Sequence, residues 1–211
     1  MTEEAKIHLS SLETELVNNT EWIFTKQIII DKVYHLFGQL NEEYKEVIAE
    51  EKGKLPVVIQ KPGGKITKGE NYNGLPYIIL DFPATFSKEN IFAVRTMFWW
   101  GNFFSISLHL SGEHYKQKLE LPKSIAFLKE KDFFVCINQR EWEHHFHTLN
   151  FIQAKELKEA DLRHIAEKKF FKIAKRIGLA DWEKTPCFLI QSFKEIVEFI
   201  KINFPAGEKA P

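Results

Sequence analysis

The sequence predicts an α+β fold, an antiparallel sheet of about four to six strands covered by N- and C-terminal helices. Three observations carry this. In the first fifty residues Ile28, Val33, Leu36, Phe37, Leu40, Tyr44, Val47 and Ile48 follow each other at roughly helical spacing. The middle of the chain is built from β-branched and aromatic runs. The last third returns to a helical stripe. Helices, then strands, then helices, without βαβ alternation, point to segregated layers. The 211 residues suit one domain over 1–203, helical in 1–52, mainly strands in 65–150 and helical in 158–202, with a flexible tail at 204–211.

Element by element, a short helix is expected from Ser10 to Val17, then the long helix ending near Gly53. The stretch Pro62 to Gly74 holds four glycines and reads as a surface loop, with weak strand character at Lys65 to Lys68. Strands follow at 75–82, 91–99 and 103–110. A two-residue Gly101-Asn102 turn fits a type II′ hairpin, where glycine takes the first central position. Ser124–Lys129 reads as a short helix and 132–138 as a strand. Glu159–Ile177 carries the stripe Leu162, Ile165, Ala166, Phe170, Ile173, Ala174, Ile177, with Gly178 as its stop. Ser192 and Glu195 have the spacing of a capping box opening a last helix to about Ile202.

Composition limits the function. The chain carries 29 basic and 29 acidic residues, so its charge balance speaks against a dedicated nucleic-acid or membrane-surface protein. No run of 18 apolar residues occurs, and the polar start MTEEAKIHL has no signal-peptide pattern, so a cytoplasmic protein is expected. Cys136 and Cys187 both lie in apolar runs and read as buried, reduced thiols.

Local signatures of enzymes are missing. GGKIT at 63–67 fails as a P-loop, because Ile59 stands where the first glycine is needed and Ile66 where Ser or Thr would hold magnesium. There is no G-x-S-x-G and no GxGxxG. No pattern names a cofactor, and no catalytic residue is assigned. The stretches NYNGLPYIILDF and RTMFWWGNFFSISLHLSG resemble bacterial proteins in character, which implies no activity and no residue's role.

Three functions remain. The first is non-catalytic binding of a small molecule or a protein partner. With a two-residue turn, Trp100 pairs with Phe103, Phe98 with Ser105, Thr96 with Ser107 and Val94 with His109. One sheet face would then hold Phe98, Thr96, Trp100, Ser107 and His109, aromatic with a few polar groups, as a ligand wall is. Arg95 joins them as an anion-binding candidate, unless Asp81 on the preceding strand neutralises it. A surface patch around Trp99 or Trp100 would instead serve a protein interface, a homodimer included. The second function starts from QREWEHHFHTL, 139–149. As a strand it puts His145 and His147 on one face with Glu143. With His109 they would make a metal-assisted hydrolase with Glu143 as base, although no established metal spacing is matched. The third is phosphate or nucleic-acid binding through a basic helix at 168–176, where Lys168, Lys169, Lys172, Lys175 and Arg176 form a stripe.

Overall fold

The computed structural model describes residues 7–60, 63–116 and 120–204. The expected loop start at Pro62 and the tail from residue 205 onward lie outside the described residues. The chain divides into two compact units, Met1–Leu36 and Phe37–Pro211.

The first unit holds α1 (Ser11–Asn18) and the start of α2 (Thr20–Glu50). Ser10 caps α1 in a capping box with Glu13, which satisfies two N-terminal amides reciprocally. The Asn19 side chain accepts from the amide of Trp22 and so starts α2. Apolar side chains here are exposed, from Ile7 and Leu9 through Leu12, Leu16 and Val17 to Trp22, Ile23, Phe24 and Ile28.

The second unit continues α2 and adds β1 (Lys65–Tyr72), β2 (Leu75–Phe86), β3 (Ile91–Trp99), β4 (Phe103–Ser111), α3 (Glu113–Lys116), α4 (Leu121–Glu130), β5 (Phe134–Cys136), β6 (Phe151–Gln153), α5 (Glu159–Glu167), β7 (Phe170–Gly178) and α6 (Thr185–Asn203). Seven strands form one antiparallel sheet in the order β1-β2-β3-β4-β7-β5-β6. The α+β class holds, with slightly more strands than the four to six expected. β6 at 151–153 is one addition. The glycine-rich stretch forms an edge strand, β1, and the supposed basic helix ends at Glu167, with β7 following it.

The last point is a correction. Residues 168–176 do not form a helix. Phe170, Phe171, Ile173 and Ile177 favour a pleated strand, and nine register pairs with β4 outweigh the helical spacing. Gly178 ends a strand. Ser192 is likewise no cap. It lies buried inside α6, which opens at Thr185 with Pro186 in its first turn.

The hairpin register is also corrected. Trp99 pairs with Phe103, Phe98 with Phe104, Arg95 with Ser107 and Ala93 with His109, so the loop has three residues, Trp100 to Asn102. Gly101 takes φ +70°, a conformation that suits glycine. A one-residue slip moves every side chain of one strand to the other face. The expected wall is therefore split. Thr96 and Phe98 face the helices, whereas Arg95, Ser107 and His109 face the other way.

The helix-covered face is the main core. Tyr44 from α2 stacks on Phe193 of α6 at 3.9 Å between ring centroids, and its hydroxyl lies 3.2 Å from the Thr96 hydroxyl. Phe37 meets Phe104 edge-on, and Phe171 stacks on Phe199. Lys175 points to this side and is held by Glu195 of α6.

Candidate functional site

Among the described residues no helix covers the opposite face. It is covered by residues 137–150, the histidine-rich stretch, which is an irregular loop between β5 and β6. Buried Asn150 anchors the loop's end. Its side-chain amide donates to the His145 carbonyl at 2.5 Å, and its own carbonyl accepts from Ile137. Tyr72 at the end of β1 holds the middle. Its hydroxyl accepts from the amides of His144 and His145 at 2.6 and 3.1 Å and donates to Glu143 at 3.2 Å. Phe146 inserts between Phe103 and Phe134 and stacks on Phe151, which fills the space that a covering helix would fill elsewhere.

Strand period two brings the polar residues together beneath this loop. Arg95 on β3, His109 on β4 and Lys172 on β7 all point to it, with Lys168 just before β7. Each cation has a partner, as burial demands. Arg95 and Asp81 form a two-pronged pair, at 2.7 and 2.9 Å. This is the partner that the sequence offered, and β2 supplies it directly opposite Arg95 in the ladder. Lys168 donates to the Cys136 carbonyl at 2.8 Å and lies over the Phe170 ring. Lys172, 1% exposed, donates to the carbonyls of Glu141 and Glu143 at 3.0 and 2.8 Å. Two members of the supposed basic stripe are thus interior. Their side-chain nitrogens are not a surface for phosphates, and the basic-helix reading falls with the helix.

His144 lies between two of these groups. Its Nε2 is 3.3 Å from Arg95 Nη1 and its Nδ1 is 3.3 Å from Lys172 Nζ. Burial holds its pKa well below the usual imidazole value, with Lys172 and Arg95 adding to the effect. Burial pushes His109 down to about 3, with Lys172, Arg95 and Lys168 adding to it. Its ring packs edge-on against Trp142 and Phe170. His109 Nε2 is buried without a hydrogen bond. Glu141 Oε2 is 3.5 Å away but off hydrogen-bonding geometry.

The expected metal residues lie apart from this cluster. His145 and His147 have ring centroids 4.8 Å apart, and His145 faces Glu143 at 3.4 Å. His109 does not complete the set. Among the described residues no three His, Cys, Asp or Glu side chains are placed to hold a metal ion. Ser107 is buried and its hydroxyl is 3.5 Å from the Arg95 carbonyl. Trp100 lies in the hairpin turn, half-buried, edge-on to Phe98. Trp99 is buried under Tyr72, so it offers no surface patch. Cys136 is buried as expected, but Cys187 is exposed on the first turn of α6.

Two clefts open beside the loop. One, of about 540 Å³, is lined by Tyr72, Trp142 and Phe170 with Arg140, Glu141 and Lys169. The other, about 500 Å³, runs past Asn90 and Ser111 and shares Glu141 and Lys169 with the first. Glu143 takes up Arg140 at 3.8 Å, whereas Lys169 has no ion pair or hydrogen bond among the described residues. Trp142 and Phe86 are both about half exposed, with the Arg95 guanidinium 5.6 and 6.0 Å from their ring centroids.

Sequence reasoning missed Tyr72, Trp142 and His144, and it placed Lys172 on the surface of a helix. One signal was present. Lys172 interrupts an apolar run, FFKIA, and a strand reading would have turned it toward His109. No signal links Tyr72 to residues 71 positions later. No helix among the described residues is long and apolar enough to cross a membrane. Compared with known proteins, the chain matches no family model, no curated protein and no solved structure.

Proposed function

We propose that the protein is a non-catalytic binding module that takes a small molecule with a planar apolar part and an anionic group. The observation that carries this is the cleft beside the loop. Tyr72, Trp142 and Phe170 give it apolar walls, and Lys169, which has no ion pair among the described residues, stands in it as a cation. A volume of about 540 Å³ is in the range of ligand pockets. Arg95 and His109 support the Trp142 wall from behind and do not line the cleft. Thermal unfolding with benzoate and phenyl phosphate tests the reading. A ligand at a hundred times its dissociation constant adds about 2.7 kcal/mol of stability. A shift that is lost in Lys169→Ala and Trp142→Ala supports it, and no shift with aromatic anions refutes it.

A second reading, self-association, is favoured by the first unit. Its nine exposed apolar side chains between Ile7 and Ile28 present on the order of 900 Å². A standard interface covers about 800 Å² per partner. Apolar residues surround the start of α2 on several sides, which suits a helical bundle better than a flat membrane surface. Residues 7–32 carry four acids and two lysines, the wrong balance for anionic lipid. Sedimentation equilibrium should find twice the 24.8 kDa chain mass, and Ile23→Asp with Phe24→Asp should return the monomer. A monomer at every concentration would dispose of this reading.

A further inference from the structure

Hydrogen-bond accounting around His144 fixes a protonation state. A guanidinium has donors only, so His144 Nε2, 3.3 Å from Arg95, must accept. A neutral imidazole then carries its proton on Nδ1, which faces Lys172 Nζ at 3.3 Å. That proton needs an acceptor. An ammonium has none, but a neutral amine has one lone pair. The two N–H groups that remain match the carbonyls of Glu141 and Glu143. Each contact in the chain Asp81–Arg95–His144–Lys172–loop carbonyl then joins a donor to an acceptor.

We propose that Lys172 holds the loop at 141–144 as a neutral amine, and that protonating it releases the loop and loosens the cleft. This rests on the proposed function only for its consequence, since the same loop walls the cleft through Glu141 and Trp142. Once Lys172 is an ammonium, Nδ1 must accept from it. The ring proton moves to Nε2 and meets the Arg95 donor. His144 then has to give up one neighbour, and the loop backbone moves with it. Of the groups around Lys172, burial comes first and favours the neutral amine, Arg95 and Lys168 add to it, and Cys136 and Glu141 act against it. Arg95 on β3 and Lys168 before β7 are cations. His109 on β4 is neutral. Asp81 on β2 is taken up by Arg95, and Glu141 and Glu143 on the loop turn their carbonyls, not their carboxylates, to Nζ. Cys136 on β5 stands nearest Lys168. Burial pushes the Lys172 amine down to about 7, which sets the pH of release near neutrality.

Trp142 sits on the loop and reports it. Its emission, taken as the difference between the full chain and Trp142→Phe, should show one transition near pH 7 without ligand. The transition should survive in His109→Gln, since that ring is neutral throughout the range. It should vanish in His144→Gln, whose side-chain carbonyl can accept from both cations at any pH. A wild-type chain with no transition between pH 6 and 8, or a transition that persists in natively folded His144→Gln, overturns the proposal. Lysine side-chain NMR of the unmutated chain needs no variant. One resonance should titrate near pH 7, and none doing so overturns the proposal as well. Because all these readouts are taken without ligand, failure of the binding reading leaves their result intact. Conversely, a benzoate-induced shift at pH 8 in a chain with no transition keeps the cleft and removes the latch.

Discussion

On the helix-covered face of the sheet, Phe82 is buried against Tyr44 and Phe193, Phe98 and Phe104 pack on each other and on Trp182, and the hydroxyls of Tyr44 and Thr96 satisfy each other. On the loop-covered face the same strands bury Ser105, Ser107, His109 and Lys172, with Arg95 beside them. A helix satisfies its own backbone and offers only side chains, so it selects an apolar surface. A loop brings unpaired carbonyls, and buried carbonyls need donors. The lysines and Arg95 supply donors where the loop lands. The difference between the faces follows from what covers each.

The comparison can be broken at several points. The largest effect belongs to the helix face. Phe193→Ala should cost about 4 kcal/mol, because the ring is fully buried and stacked on Tyr44. Denaturant unfolding measures it. If the loss is under about 1 kcal/mol, the helix face is not the main core.

Acid comes next and acts on the loop face alone. The folded-state pKa of His109 lies near 3, against an ordinary value of 6.5, so between these the unfolded chain binds more protons. Stability therefore falls as pH drops from 6.5 toward 3, by on the order of 3 kcal/mol by pH 4, with His144 acting in the same direction. Above neutrality Lys172 acts likewise. Its folded value near 7 is below its usual 10.5, so stability rises with pH across that interval. Unfolding followed at pH 4, 6.5 and 9 tests both, and His109→Gln should flatten the acid limb.

A smaller loss is expected for Asp81→Asn. It removes the charge that faces Arg95 at 2.7 Å and should cost about 2 kcal/mol, less than a fully buried pair would because both side chains retain some exposure. Unfolding of the variant beside Arg95→Met separates an unpaired charge from lost packing. The smallest effect sharpens the comparison. Lys169→Ala should change stability by less than about 0.5 kcal/mol while removing anion binding, because Lys169 is exposed and holds nothing in place.

Local patterns were legible where one interaction dominates. The short helix from Ser10, the core stripe of α2 from Val33 to Val47 and the strand at 91–99 all depend on neighbours close in sequence. The Arg95–Asp81 pair was also within reach, since it needs only adjacent strands. The site was much less so. His109 was marked, but for a wall with Thr96 and Phe98, which a one-residue error in the turn placed on its face. Lys172 was marked as a surface cation because a nine-residue strand carried enough i, i+4 apolar pairs to pass for a helix.

The sequence by itself determined the layer class, the near-neutral charge and the apolar stripe of α2, because periodicity and composition act without knowledge of distant partners. Only the tertiary structure decided the hairpin register, the strand at 170–178 and the meeting of Arg95, His144 and Lys172. Each of these is settled by pairing between segments far apart in the chain. Whether a lysine ends as a solvated charge or a buried amine depends on which carbonyls the fold lays over it.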